Sequence, residues 1–413
     1  MDQQSFFSYM NASLTPYHAA KEHHRFLIEQ GFQLLSENNA WQLAPGGRYL
    51  IDSNDGTTCA FVLPNETPTG IRIIGTHNDS PALRLKPSPT LVREELSLLN
   101  IEVYGGPLLG TWFDRPLAIA GRVYSRGDNW AVPQAHLVCL PEQVVIPSLA
   151  AHMKRGDDAI NPQKELLALW GKADAPRLET RLAEHLGIDE ADLLATELYL
   201  VSAEKASVFG YDDDLYAASR IDNLANAYAA CHALGDSQPQ HDIALFISYQ
   251  HEEIGSHTRQ GASAPHLSRL LTRIAQALHA DLDALLAQSI ILSCDQAHAA
   301  HPNYSEKADP VLRPRLGRGP VLKLAANHSY ATTPRGEAMI RALCADENLP
   351  IQCFTNRADM RGGSTIGPLA ETTTGIEAID LGSPMLAMHS IRECASLSDQ
   401  ATMQQLMTAF YNK

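Results

Sequence analysis

The sequence predicts an α/β fold, a three-layer sandwich that carries a mostly β inserted second domain. Continuous apolar runs stop abruptly at polar clusters in four places, the pattern of strands in a sheet covered on both faces. Amphipathic stretches separate these runs, giving the alternation of an α/β sandwich. The stretch 91–200 lacks both features and is dense in turn signals. A chain of 413 residues has room for about two to three domains.

The elements follow in order. Thr15 as N-cap and Pro16 at the first helical position open a helix, and Phe26, Leu27, Phe32, Leu34 and Leu35 extend its apolar face to a predicted end near Asn38. IRIIGTHNDS is a strand, Ile71 to Gly75, running into a polar cluster. From Leu91 to Leu200 the turns GGPLLG, DRP, SRGDN, NPQK and KADAP mark the inserted domain. The predicted division is 1–90 with 201–413, and 91–200. Arg155 to Pro176 reads as a mobile loop with a short helix around ELLALW. IALFISYQHEEIGS then passes from a strand into Glu252 and Glu253, SIILSCDQAHA into Asp295, and IEAIDLGSPMLAMHS into a loop ending at His389. LSRLLTRIAQALHADLDALLAQ carries leucine and isoleucine on a helical rhythm. Polar groups therefore collect beyond strand ends, where open α/β sheets bind ligands.

Composition narrows the function. Apolar residues are 45% and charged residues 19%, a globular balance that excludes disorder and collagen-like fibres. The net charge of −15 repels phosphate backbones and anionic lipid, so neither nucleic acid nor membrane is an expected partner. No apolar run approaches the ~18 residues that cross a bilayer, and MDQQSFFSYM lacks a basic segment before an apolar one. Seven cysteines without a C-x-x-C pair indicate neither a disulfide framework nor a thiolate zinc site. A reducing cytoplasm is the expected compartment.

The chemistry gathers in a few residues. In THNDS, His77 and Asp79 share one side of an extended chain, so the carboxylate can hold one ring nitrogen and leave the other for a metal. The plain alternative is a loop histidine. Glu252 and Glu253 are adjacent acids at a strand end, where repulsion is costly unless a cation or proton absorbs it. Their side chains point apart, so one can ligate while the other acts as a base. Asp222 in SRIDNLANAYAA has an N-cap role as its plain explanation, and Asp295 and His389 are each unremarkable alone. Together His77, Asp222, Glu253, Asp295 and His389 supply what a two-metal site with one bridging carboxylate needs. Nitrogen and oxygen donors without sulfur favour zinc, with cobalt or manganese as substitutes.

At these residues the chain resembles the aspartyl aminopeptidase family of co-catalytic zinc metallopeptidases. THNDSPALRLKP, GGPLLGTWFDRPL, SLAAHM, SRIDN, QHEEIGS, SCDQAHAAHPNY, GGSTIGP and IDLGSPMLAMHSIRE stand in the family's order across essentially the whole chain. The resemblance implies Asp222 as the bridge, His77 and Asp295 on one ion, and Glu253 and His389 on the other. It implies Glu252 as the general base, Asp79 as the group orienting His77, and a peptide that is often cis after the bridging aspartate. It further implies that the inserted domain mediates dimerisation, with His152 reaching an active site to touch metal or substrate, and that dimers assemble into dodecamers that admit peptides. The chain departs from eukaryotic members at Gly362-Gly363, where they carry Cys-Gly, and between the strand lysine and the Tyr-Ala pair, where they have Asn and Arg and this chain reads Lys323-Leu324-Ala325-Ala326 and Ser329-Tyr330-Ala331.

The expected activity is removal of N-terminal residues from peptides, with preference for Asp or Glu. Two metals would activate a water while Glu252 moves the proton. An acidic preference needs a cation, for which Lys323 and then Arg361 are the candidates; a salt-bridge role for either is the alternative. The competing functions are a deacylase or carboxypeptidase on the same core, and a non-catalytic scaffold that kept the fold.

Overall fold

The computed structural model describes residues 1–413 except 53–54, 154–158 and 361. The chain divides into two compact units, Met1–Asp79 with Ala206–Met388 and Glu393–Lys413, and Ser80–Lys205 with His389–Arg392.

The first unit is built on a nine-stranded mixed sheet. Its order runs Gln33–Ser36, Arg48–Asp52, Thr58–Val62, Ile243–Tyr249, Ile71–His77, Ile290–Cys294, Glu377–Gly382, Val321–Lys323 and Gln352–Phe354. Ile71–His77 lies parallel to both Ile243–Tyr249 and Ile290–Cys294. Alternate residues of each strand face opposite ways, and both faces are apolar here. Ile243, Leu245 and Ile247, with Ile71 and Ile73, pack against Leu267, Leu271 and Ile274 of helix His266–Leu278. Ala244 and Phe246 of the same central strand, with Ile74 and Leu292, pack the other way against Ala229 and Ala230 of helix Ile221–Asp236 and Met403 and Leu406 of helix Leu397–Asn412. Helices on both sides of one sheet make the three layers, which is why these strands read as unbroken apolar runs. A five-stranded sheet, ordered Ser207–Phe209, Leu215–Ala218, Glu393–Ser396, Pro384–Leu386 and Ala297–His298, completes the unit.

The second unit holds a six-stranded antiparallel sheet ordered Val132–Val144, Leu117–Asn129, Leu193–Ser202, Ala82–Arg93, Leu96–Tyr104 and Ala168–Lys172. Helix Leu178–Leu186 buries Leu178, Leu182 and Ala183 and ends on Gly187 in the left-handed region (φ 68°), which glycine adopts without a side-chain clash.

Several elements differ from the sequence reading. The first helix expected at Thr15 is preceded by another, Gln3–Ala12. The Pro16 helix stops at Glu29, because Gly31 turns the chain with φ 82° and Gln33–Ser36 becomes an edge strand. Thr15 makes no side-chain cap; its hydroxyl lies 2.8 Å from His18 Nδ1. The expected boundary at Leu91 falls inside the single strand Ala82–Arg93, whose register shifts between Leu85 and Thr90 around Pro87 and Pro89. Within the expected loop Arg155–Pro176, residues 155–158 lie outside the described residues, while a one-turn helix, Pro162–Glu165, and strand Ala168–Lys172 occupy half of the remainder. ELLALW therefore starts on the last residue of the short helix and ends in strand, where Leu169 and Ala168 pair with Leu98 and Leu99. No helix among the described residues is long and apolar enough to cross a membrane.

Candidate metal centre

Three strands of the first unit end side by side. Register pairs Tyr249 with His77 and Ser293 with Gly75, so His77, the turn after Tyr249 and Asp295 emerge from one edge of the sheet. His77 is buried, and its Nδ1 lies 3.0 Å from the Asp79 backbone oxygen. A carbonyl only accepts, so Nδ1 carries a proton and Nε2 faces the cluster. Around Nε2 stand Asp295 Oδ1 at 3.3 Å, Asp222 Oδ1 at 3.5 Å and Glu252 Oε2 at 3.9 Å. Donor atoms of His77, Asp222 and Glu253 all lie within 4.8 Å of one another.

The Glu252-Glu253 pair sits on a single 3₁₀ turn that follows His251 in the left-handed region (φ 63°). Asp79 anchors this turn. Its Oδ1 accepts the Glu252 N–H and its Oδ2 the Glu253 N–H, each at 3.2 Å. The carboxylate expected to orient His77 stands 3.5 Å from Nδ1, so the closer hold on that ring is the Asp79 main chain, and one residue fixes both the histidine and the two glutamates. The loop is pinned further by the Gln250 side chain, which donates to the Asp55 carbonyl, and by Asn78 Nδ2, which donates to the Gly56 carbonyl at 2.7 Å.

Asp222 occupies a non-helical position (φ −78°, ψ 107°) at the start of its helix, with a cis peptide to Asn223. Its N–H donates to Glu393 Oε2 at 3.1 Å, and Asn223 Nδ2 donates to the Cys294 carbonyl at 2.8 Å. Lys323 is buried, its ammonium 3.3 Å from Asp295 Oδ2 and 5.5 Å from the Tyr330 ring centroid.

The electrostatics are those of a site waiting for positive charge. Burial, reinforced by Asp295, Asp79 and Asp222 against the pull of His77, pushes the Glu252 carboxyl up to about 8. Burial and the neighbouring Asp222 hold Glu253 well above the usual carboxylate range. Burial opposes charge on His77, yet Asp222, Asp295 and Asp79 keep its imidazolium proton well above the ordinary value. A cation at Nε2 and the facing carboxylates would relieve all three at once. The donors are one imidazole and several carboxylates with no thiolate, a set suited to zinc.

The other expected residues lie elsewhere. His389 belongs to the second unit, in the left-handed region (φ 68°), with Nδ1 3.0 Å from the Gly106 oxygen. As with His77, the carbonyl puts the proton on Nδ1 and the lone pair on Nε2. His152 is exposed in a turn of the second unit. Arg361 lies outside the described residues. Sequence reasoning gave Glu393 no role, although it closes the motif IDLGSPMLAMHSIRE; the structure buries it at the start of a strand.

The chain matches the family of aminopeptidase I zinc metalloproteases (M18) over residues 9–411. It belongs to the M18 aminopeptidase family. A protein of Clostridium novyi described as a probable M18 family aminopeptidase 2 is 38% identical, the match covering 97% of this chain and 96% of that one. A like-named protein of Pseudomonas savastanoi pv. phaseolicola is 39% identical over 98% and 96%. Among solved structures, an M18 aminopeptidase from Thermotoga maritima superposes with a TM-score of 0.88 at 26% identity, covering 99% of this chain and 95% of that one. The S. cerevisiae mApe1 dodecamer gives 0.86 at 27%, over 99% and 95%. The M18 chain is thus a zinc metalloaminopeptidase with a two-domain α/β fold, a hydrolase of peptide bonds.

Proposed function

We propose that the protein removes acidic N-terminal residues from peptides with two zinc ions held by His77, Asp222, Glu253, Asp295 and His389. The observation that carries this reading is the charge inventory of the cluster. Five carboxylates, Asp79, Asp222, Glu252, Glu253 and Asp295, meet one histidine and one ammonium, that of Lys323. With all five ionised and the histidine neutral, the states that bound cations would favour, four negative charges remain, the charge that two divalent cations cancel. Buried charge of that size is not tolerated without partners. The resemblance supplies the assignment of Asp222 as the shared ligand and of His389 as the remaining one, through Nε2.

Zinc bound there supplies a Lewis acid for the scissile carbonyl and lowers the pKa of the attacking water. The protein's own groups do the rest. Glu252, whose side chain is 16% exposed, takes the proton from water as it attacks and returns it to the leaving amine. Asp79 holds the Glu252 and Glu253 amides so that one side chain is kept for proton transfer and the other for binding. Lys323 is the proposed partner of an acidic first side chain, since among the described residues it brings an ammonium into this cluster of acids. Its bond to Asp295 means that such a substrate would share, rather than simply occupy, that charge. By the same resemblance, His152 comes to an active site in an assembled oligomer built from dimers.

Hydrolysis of one peptide with a free and with an acetylated N-terminus tests the reading. Cleavage of the free form alone, releasing the first residue, is expected; equal cleavage of both, or release from the C-terminus, would assign a deacylase or carboxypeptidase instead. For selectivity, Lys323→Met should lower turnover of an N-terminal Asp amide at least tenfold more than that of a Leu amide. Equal losses would remove Lys323 from substrate recognition.

A further inference from the structure

Asp222 is the residue on which the proposed centre turns, and its main chain is held by a carboxylate that plays no part in the chemistry described above. Glu393 opens strand Glu393–Ser396, which pairs with Leu215–Ala218 so that Glu393 lies opposite Ala218. Four residues past Ala218 the chain reaches Asp222. Glu393 is 2% exposed, and its Oε2 accepts the Asp222 N–H at 3.1 Å. The first amides of a helix have no partner within it; this one sits at the non-helical entry to helix Ile221–Asp236. A buried carboxylate is a costly acceptor for that amide where a serine or threonine would serve. Arg220 interacts with Glu393 electrostatically, and its guanidinium donates to the Ser13 carbonyl at 3.1 Å and the Met10 carbonyl at 3.5 Å. The neighbouring backbone is fixed as well, by Gln296 Nε2 on the Ile221 carbonyl at 3.2 Å and by Asn223 on Cys294.

We propose that Glu393 is a positioning residue for the metal centre, holding the Asp222 amide so that the Asp222 carboxylate is aimed at His77. The inference rests on the two-zinc reading. Groups that hold a ligand without touching the metal commonly set its affinity by about 10–100-fold. A mere packing role for Glu393 would affect folding and leave zinc binding alone, so zinc affinity is the deciding readout.

Zinc dissociation constants of the full-length protein, measured by competition with a chromogenic chelator, test it. Glu393→Gln keeps an oxygen that can accept the Asp222 N–H; Glu393→Met is of similar size and removes the acceptor. The wild type is titrated first: if it binds no zinc, the two-zinc reading itself fails. Given zinc binding, E393M should weaken it tenfold or more while E393Q stays within about threefold of wild type. Equal zinc affinity in E393M and wild type overturns the proposal, as does an equal loss in E393Q and E393M. Should E393M fail to fold because Arg220 is left without its counter-charge, the same Gln and Met pair in an Arg220→Met background makes the comparison, with the same two outcomes deciding.

Discussion

At the scale of single residues, the proposed division of labour between adjacent glutamates makes the sharpest prediction. Glu253 shares ligand distance with His77 and Asp222, whereas Glu252 stands 3.9 Å from His77 with its side chain 16% exposed. Glu252→Gln should therefore retain its zinc by elemental analysis while kcat falls by roughly two or more orders of magnitude, the usual size of a lost proton-transfer group. Loss of zinc in that variant would exchange the two roles. Asp79 was legible in the sequence as a partner of His77, but its double bond to the Glu252 and Glu253 amides was not, since no spacing rule connects positions so far apart in the chain. Asp79→Asn puts an amide NH₂ against one of those two N–H donors. It should lower both kcat and zinc affinity by about 10–100-fold; a variant with wild-type zinc affinity would limit Asp79 to a local turn.

At the scale of elements, the strands were readable because a sheet buried on both faces needs uninterrupted apolar runs. Phe246 shows the energetic side of that rule. It is fully buried between the central strand and the helices of its face, so Phe246→Ala should cost about 3–5 kcal/mol, read as a lower urea midpoint. The N-terminal helices were harder to read, because their inner faces are partly histidine and tyrosine. His23 sits between the Tyr9 hydroxyl at 2.7 Å and the Thr58 hydroxyl at 3.1 Å. Burial brings its pKa down to about 3, and brings His18 and His232 to about 4. In the unfolded chain these rings titrate near 6.5. Their contribution is therefore present in full above about pH 6.5 and is lost as pH falls toward 4, because only the unfolded state takes up the protons readily. Urea midpoints at pH 7 and pH 5 should differ, and His23→Gln should shrink the difference; an unchanged pH dependence would contradict the assignment. Strand Ala82–Arg93 also escaped the sequence reading; its register shift falls around Pro87 and Pro89, residues that elsewhere break strands.

At the scale of the whole molecule, a net charge of −15 and a cluster of buried acids both ask for counter-ions. Removal of divalent cations should lower the melting temperature, and added zinc should restore it in proportion to ligand concentration. A melting temperature indifferent to chelator would mean the acids are balanced some other way. The resemblance to enclosed assemblies predicts a twelve-chain mass by light scattering, where a lone 45.1 kDa species would contradict it. Three of the proposed ligands were legible because His77 ends a recognisable strand and Glu253 and Asp295 follow closely on two others, whereas the proposed role of Glu393 rests on an unremarkable main-chain bond. Elemental analysis of the purified protein, counted per chain, probes the central claim most directly: two zinc ions are predicted, and a value of one or none after zinc loading would contradict the account.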